Sequence, residues 1–201
     1  MLEKKQIYYK NVNMKKIAIF ASGSGTNAEN IARYFADSKS IQVVVILSNK
    51  GNAGVHERAE NMNIPSFTFS EAEFKEGTKI LDKLAEYDTD LIVLAGFLSL
   101  VSPNILNMYN NRIINIHPAL LPKFGGKGMY GHYVHEAVLA AKEKETGITI
   151  HYINERYDEG TIIFQTSFPV LPTYSVGDIE KKIHELEYEY YPLIIEQLLK
   201  K

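Results

Sequence analysis

The sequence predicts an α/β protein built on an open, doubly wound, mainly parallel sheet with antiparallel strands near its C-terminal edge. Two observations carry this. Short β-rich apolar runs alternate with helical patterns from residue 15 to residue 116, which is the signature of βαβ units. After residue 131 the alternation changes, and two strand patterns follow each other across the turn YDEG, as an edge hairpin would.

The elements follow in order. KKIAIFA (15–21) reads as a strand buried on both faces, and AENIARYFADS (28–38) as a helix. QVVVILS (42–48) is a second strand, GVHERAENMN (54–63) a second helix, and IPSFTF (64–69) a short third strand. EGTKILDKLAEY (76–87) is helical and DLIVLAG (90–96) is a strand. PNILNMY (103–109) makes a short helix before the strand RIINI (112–116). VHEAVLAAKEK (134–144) is helical, and ITIHYIN (148–154) with TIIFQTSFPV (161–170) forms the hairpin. From Ser175 onward the chain reads as a closing helix, with Ser175 and Asp178 as its capping pair and Ile179, Ile183, Leu186 and Tyr190 at helical spacing. Pro192 is expected to kink or divide it.

Composition narrows the function classes. The chain has 201 residues, 45% hydrophobic and 23% charged, enough for one domain with a real core. A net charge of −2 gives no support to nucleic-acid or anionic-membrane binding. With no cysteine there are no disulfides, thiolate metal sites or cysteine nucleophiles. No stretch is apolar enough to span a bilayer, and residues 1–13 have no apolar core of a secretory signal, so the expected location is the cytoplasm. Residues 1–13 are expected to be an extension, with residues 14–201 forming the single domain.

Two segments carry chemistry. ASGSGTNAEN (21–30) follows the first strand, where open α/β sheets bind ligands. Gly23 and Gly25 permit a tight turn, and the following helix offers free N–H groups, so the loop suits a phosphate. A ligand-free turn is the bland alternative. The spacing Gly23-x-Gly25-x-x-Ala28 also fits a dinucleotide loop, but the second strand ends Ser48-Asn49-Lys50 with no acid for a ribose hydroxyl. Lys50 keeps a 2′-phosphate, and hence an NADP-binding module, open.

The second segment is IINIHPALLPKFGGKGMYG (113–131). Asn115 and His117 stand two apart on a strand, so they share a face, and Pro118 ends the ladder. An amide donor beside an imidazole suits a carbonyl that becomes tetrahedral. A structural histidine is the alternative. Asp158, in the hairpin turn, would raise the pKa of His117 if it lay against it; otherwise it is a solvated turn acid.

SGSGTN (22–27), SNK (48–50), VLAGF (93–97), NIHPALLPKF (115–124), Asp158-Glu159-Gly160 and Gln165 together resemble the phosphoribosylglycinamide formyltransferases, folate-dependent enzymes of purine synthesis. The resemblance runs from about Met14 to the tail helix. It implies a Rossmann-like formyltransferase fold and, as substrates, 10-formyltetrahydrofolate as donor and glycinamide ribonucleotide as acceptor, with no metal. It implies Asn115, His117 and Asp158 as the catalytic trio, with Asn115 also touching the folate. It implies Gly25, Thr26, Asn27, His184, Glu185, Leu186 and Glu187 for the ribonucleotide. It implies Leu98, Ser99, Leu100, Val101, Asn154, Glu155, Arg156, Tyr157 and Asp158 for the folate. On the residues alone, Glu187 would be a solvated helix face.

Two departures stand out. Relatives often carry a folate-reaching arginine near residue 77; here EFKEGTKI has only Lys75 and Lys79 nearby, and neither reproduces a guanidinium fork. KFGGKGMYGHYVHEA (123–137) replaces a shorter loop, and its glycines suggest a mobile flap over the folate site, with His132 and His135 outside the chemistry. The motif is shared by formyltetrahydrofolate hydrolases and by formyltransferases acting on tRNA or sugar nucleotides. Length, charge and the SGSGTN loop favour the ribonucleotide as acceptor. Small-molecule partners are expected, with no nucleic acid, no membrane, and either a monomer or a homodimer.

Overall fold

The structure is a computed structural model and describes residues 14–200. The expected extension, residues 1–13, lies outside the described residues. In chain order the elements are β1 (Lys15–Phe20), α1 (Thr26–Tyr34), β2 (Ile41–Ser48), α2 (Val55–Asn61), β3 (Ser66–Thr68), α3 (Glu71–Glu76) and α4 (Thr78–Glu86). Then come β4 (Leu91–Leu94), α5 (Pro103–Met108), β5 (Ile113–His117), α6 (His132–Ala140), β6 (Glu145–Tyr152), β7 (Ile162–Pro169) and α7 (Val176–Leu199).

The strands form one sheet in the order β3-β2-β1-β4-β5-β6-β7. β1 to β5 pair in parallel, while β6 runs antiparallel to β5 and β7 antiparallel to β6. Strand alternation builds a core on each face. Ile17 and Ile19 pack with α1, α2, α6 and α7 on one side. Ala18 and Phe20 pack with α3, α4 and α5 on the other. Because β2 and β4 flank β1 on opposite sides, the loops after β1 and β4 diverge and open a crevice at the carboxyl ends of the strands. β5 ends at the same edge.

Three expectations need correction. α3 was not foreseen: it is short and buries only Phe74, so it has no apolar period to read. Its signal was the capping box of Ser70 and Glu73, and Gly77, at φ 89°, then separates it from α4. α6 ends at Ala140 and β6 begins at Glu145, so residues 141–144 are not helical and the strand starts three residues earlier than expected. Pro192 does not divide α7, which continues from Val176 to Leu199.

The last point has a local cause. Proline has no N–H, so the carbonyl four residues back, that of Tyr188, loses its helical partner. Asn30 on α1 supplies one, donating Nδ2–H to Tyr188 O at 2.9 Å. The helix is thereby satisfied through proline by a side chain from its neighbour. Asn30→Ala is expected to lower stability by about 1 kcal/mol in urea unfolding. The loss should shrink in a Pro192→Ala background, where an N–H returns to Tyr188 O; equal losses in both backgrounds would refute the coupling.

Candidate active site

The crevice is a cleft of about 500 Å³, within the range of small-molecule sites. Its lining joins the loop after β1 (Gly23 to Asn27), the loop after β4 (Ala95 to Val101), the end of β5, the glycine-rich segment 126–131, the hairpin turn and one face of α7.

At the β5 end Asn115 and His117 share a face of the strand, as their spacing predicts, and both line the cleft. His117 is 3% exposed. Its Nε2 lies 2.7 Å from Phe124 O; a carbonyl only accepts, so Nε2 carries the proton. Nδ1 faces Asp158 Oδ2 at 3.6 Å. Asp158 also accepts the Gly126 N–H at 2.9 Å. Asp158 and Phe124 both have positive φ, 56° and 57°, and they meet His117 from two sides. Such backbone positions persist where the surroundings over-determine them, and they cluster at functional sites.

His151, which sequence reasoning missed, completes this end. It is 1% exposed, and its Nδ1 donates to Tyr152 O at 2.9 Å. That leaves Nε2 as acceptor for the Asn115 amide at 3.1 Å. The Asn115 amide is thus oriented with its nitrogen toward His151, and its second N–H remains to serve a ligand. Asp158 Oδ1 lies 3.7 Å from His151 Nε2, so one carboxylate spans both imidazoles. The signal available in sequence was His151 two residues beyond Thr149 in a buried strand, a polar pair where apolar residues belong. Thr149 in turn organises the exit from β5: its hydroxyl donates to Ala119 O at 2.6 Å and accepts from Leu121 N–H and Gln165 Nε2.

The expectation that Asp158 would raise the His117 pKa is corrected in its net direction. Burial pushes the His117 imidazole below its ordinary value, and it outweighs the opposing pull of Asp158, which is not at hydrogen-bond distance. Burial likewise holds His135 and His151 down.

At the other end Glu187 is buried, not a solvated face. It falls in the strict i+4 series Ile179, Ile183, Glu187, Tyr191, Ile195, the fully buried stripe of α7, while the expected Leu186 and Tyr190 pack against the core partly buried. A buried carboxylate must be hydrogen-bonded, and Glu187 Oε2 accepts from Asn27 Nδ2 at 2.8 Å and pairs with His184 Nδ1 at 2.9 Å. That bond raises the His184 pKa. Tyr191, one turn on, sets the height of Glu187: its buried hydroxyl donates to Leu94 O at 2.9 Å, at the end of β4.

Gly25 closes the first loop with φ 77°, and a Cβ there would lie 2.5 Å from Val55 Cγ2, so only glycine fits. Gly25 caps α1 with no side-chain bond, which leaves the first N–H groups of that helix unclaimed by a cap.

The structure brings together most of the expected site residues. Gly25, Thr26, Asn27, His184, Glu187, Leu98, Ser99, Leu100, Val101, Asn115, His117, Asn154, Arg156, Tyr157 and Asp158 all line the cleft. Three do not. Glu185 is exposed on the far side of α7, Leu186 packs on the core, and Glu155 lines a separate groove beside Tyr109 and Asn110. Lys50, on which the 2′-phosphate reading rested, is not in the lining, nor are Lys75 and Lys79; Lys79 instead pairs with Glu73. His135, set outside the chemistry by sequence reasoning, does line the cleft, and His132 does not.

A parallel-sheet crevice with an amide, an imidazole and a carboxylate at one end and a glycine loop opening a helix at the other has the form of a ligand site on a Rossmann-like fold. Comparison with known proteins specifies it. Residues 15–195 match the formyl transferase family. Phosphoribosylglycinamide formyltransferase of Bacillus subtilis is 38% identical over 193 residues, covering 92% of this chain and 95% of that protein. The chloroplastic phosphoribosylglycinamide formyltransferase of Arabidopsis thaliana is 38% identical over 187 residues, 90% of this chain, which spans 64% of its length. The crystal structure of phosphoribosylglycinamide formyltransferase from Bacillus halodurans superposes with a TM-score of 0.85 at 36% identity, over 93% of this chain and 96% of that one. The chain belongs to the formyl transferase family. No helix among the described residues is long and apolar enough to cross a membrane.

The three depressed histidines predict how stability depends on pH. A histidine held below its ordinary pKa in the fold takes up a proton more readily when unfolded, so below about pH 6.5 the unfolded chain binds more protons and stability falls. His117, His135 and His151 all act in this direction. His184, raised, acts oppositely: its contribution is full below the unfolded value and is lost as pH rises through its folded one. The urea midpoint is expected to be lower at about pH 5.5 than at about pH 7.5; an unchanged midpoint would show that the three imidazoles are not held neutral by the fold.

Proposed function

We propose that the protein transfers the formyl group of 10-formyltetrahydrofolate to the primary amine of glycinamide ribonucleotide, giving formylglycinamide ribonucleotide and tetrahydrofolate in purine biosynthesis. The observation that carries this reading is the two-ended cleft: one lining holds the Asn115, His117 and Asp158 group and, on its other side, the glycine loop with Glu187. An acceptor bound at the loop and a donor bound along residues 98–101 and 154–158 would meet at the end of β5.

The residues present fit both substrates. The apolar backbone-rich segment Leu98 to Val101 faces the hairpin turn, Asn154 to Asp158, and a flat pterin ring suits the slot between them. Gly25, Thr26 and Asn27 take the phosphate through free N–H groups, and Glu187 takes the ribose hydroxyls through Oε1, which has no hydrogen-bond partner among the described residues.

In the chemical step the amine nitrogen attacks the formyl carbon, and the formyl oxygen gains negative charge. The free Asn115 N–H and protonated His117 stabilise that charge. Collapse breaks the bond to the folate N10, and the proton lost by the amine passes through His117 to that nitrogen. Asp158 holds the second imidazole proton. Release of the Phe124 carbonyl, which belongs to the glycine-rich segment, frees the His117 Nε2–H for the reacting oxygen.

Folate product formation is expected only when both the donor and glycinamide ribonucleotide are supplied; turnover without the ribonucleotide would mark a hydrolase. His117→Ala should lower kcat by about 10²–10⁴-fold and Asn115→Ala by about 10²–10³-fold, with ribonucleotide binding kept. Asp158→Asn removes the charge that pulls the His117 pKa up, so the loss of rate at rising pH should begin at lower pH. An identical pH profile would remove Asp158 from that role.

A further inference from the structure

The glycine loop after β1 is held from behind by α2. The Val55 N–H donates to Gly23 O at 3.2 Å, and Arg58 Nε donates to Ser24 O at 2.8 Å. A trans peptide sets each carbonyl antiparallel to the N–H that follows it. Pinning these two carbonyls toward α2 therefore aims the N–H groups of Ser24 and Gly25 the opposite way, where Gly23, Ser24 and Gly25 line the cleft. Among the described residues neither N–H donates to a backbone oxygen.

Arg58 is itself fixed. Its second guanidinium nitrogen hydrogen-bonds Glu29 Oε2, while Arg33 takes Glu29 Oε1 at 2.7 and 2.9 Å. The guanidinium thus bridges a carboxylate in the first turn of α1 and a carbonyl of the loop, using two edges of one rigid fork. An ammonium offers no such planar pair of donors. Arg58 is absent from the cleft lining, so whatever it does for a ligand it does through the loop.

We propose that Arg58 is a positioning residue for the acceptor's phosphate, aiming the loop amides into the cleft from outside and placing a positive charge behind them. This rests on the reading of the loop as the phosphate site. Sequence reasoning passed over Arg58 because it lies on the second helix, far in sequence from the loop it serves.

The test compares wild type with Arg58→Met, which keeps the stem and loses the fork. Binding of inorganic phosphate is measured by calorimetry, and kinetics are measured with glycinamide ribonucleotide and with its dephosphorylated nucleoside. Loss of one charge-assisted bond and the charge behind it should weaken phosphate binding and raise KM for the ribonucleotide by about tenfold. The kcat value, the KM of the folate donor and all constants for the nucleoside should stay as in wild type. Arg58→Lys should restore part of the loss, through charge alone. Equal losses with the nucleoside, or a raised donor KM, would mean a merely structural residue and overturn the proposal; so would unchanged phosphate affinity. Should Arg58→Met fail to fold, Arg58→Lys, which keeps the charge and loses the two-edged fork, is measured in its place, and phosphate affinity equal to wild type there overturns the proposal. If wild type does not turn over glycinamide ribonucleotide, the functional reading fails, while the phosphate affinities still decide the role of Arg58.

Discussion

The end of the cleft at β5 is organised around one carboxylate. Asp158 lies 3.6 Å from His117 and 3.7 Å from His151, and it accepts the Gly126 N–H at 2.9 Å. It therefore joins three segments distant in sequence: the end of β5, the end of β6 and the glycine-rich segment. Both imidazoles are buried, and desolvation disfavours their charged forms. Asp158 opposes that penalty at both rings, together with the Phe124 carbonyl at His117 and the Tyr152 carbonyl at His151. The left-handed backbone at Asp158 is tolerated because aspartate is among the few residues that visit that region at modest expense.

The acceptor end depends on how α7 lies across the sheet. Tyr191 fastens the helix to the end of β4, and the i+4 spacing then delivers Glu187 to the cleft. The neighbouring α1 contributes twice. Asn27 binds Glu187, and Asn30 satisfies the Tyr188 carbonyl that Pro192 leaves open. The two helices thus share polar contacts as well as a core, and the glycine loop at the start of α1 is held in register with the carboxylate on α7.

Much of this was legible in the sequence, for identifiable reasons. The alternation of strands and helices gave the sheet, because parallel strands buried on both faces leave unmistakable apolar runs. Asn115 and His117 were legible because period two puts them on one face and a proline follows. His151 was not, since a histidine within an apolar strand reads as core until its partner, Asn115, is placed opposite by antiparallel pairing. On the residues alone Glu187 reads as solvated, because a charged residue beside the apolar positions Leu186 and Tyr190 gives no sign that it shares the fully buried i+4 series with Ile183 and Tyr191. The α3 helix escaped because capping, not periodicity, makes it. Pro192 does not divide α7 because the carbonyl it orphans, that of Tyr188, finds its partner in another element, at Asn30, 158 residues away in sequence from Tyr188.

The two ends of the cleft use the same pair of residue types to opposite effect. At the α7 end a carboxylate touches a half-exposed histidine at 2.9 Å, and the hydrogen bond wins: the His184 pKa is raised. At the catalytic end a carboxylate stands off a fully buried histidine by 3.6 Å, and desolvation wins: His117 is lowered. Contact with a carboxylate favours the charged imidazole, whereas burial favours the neutral one. The difference is set by less than an ångström of separation and by burial, both dictated by where β5, the hairpin turn and α7 meet.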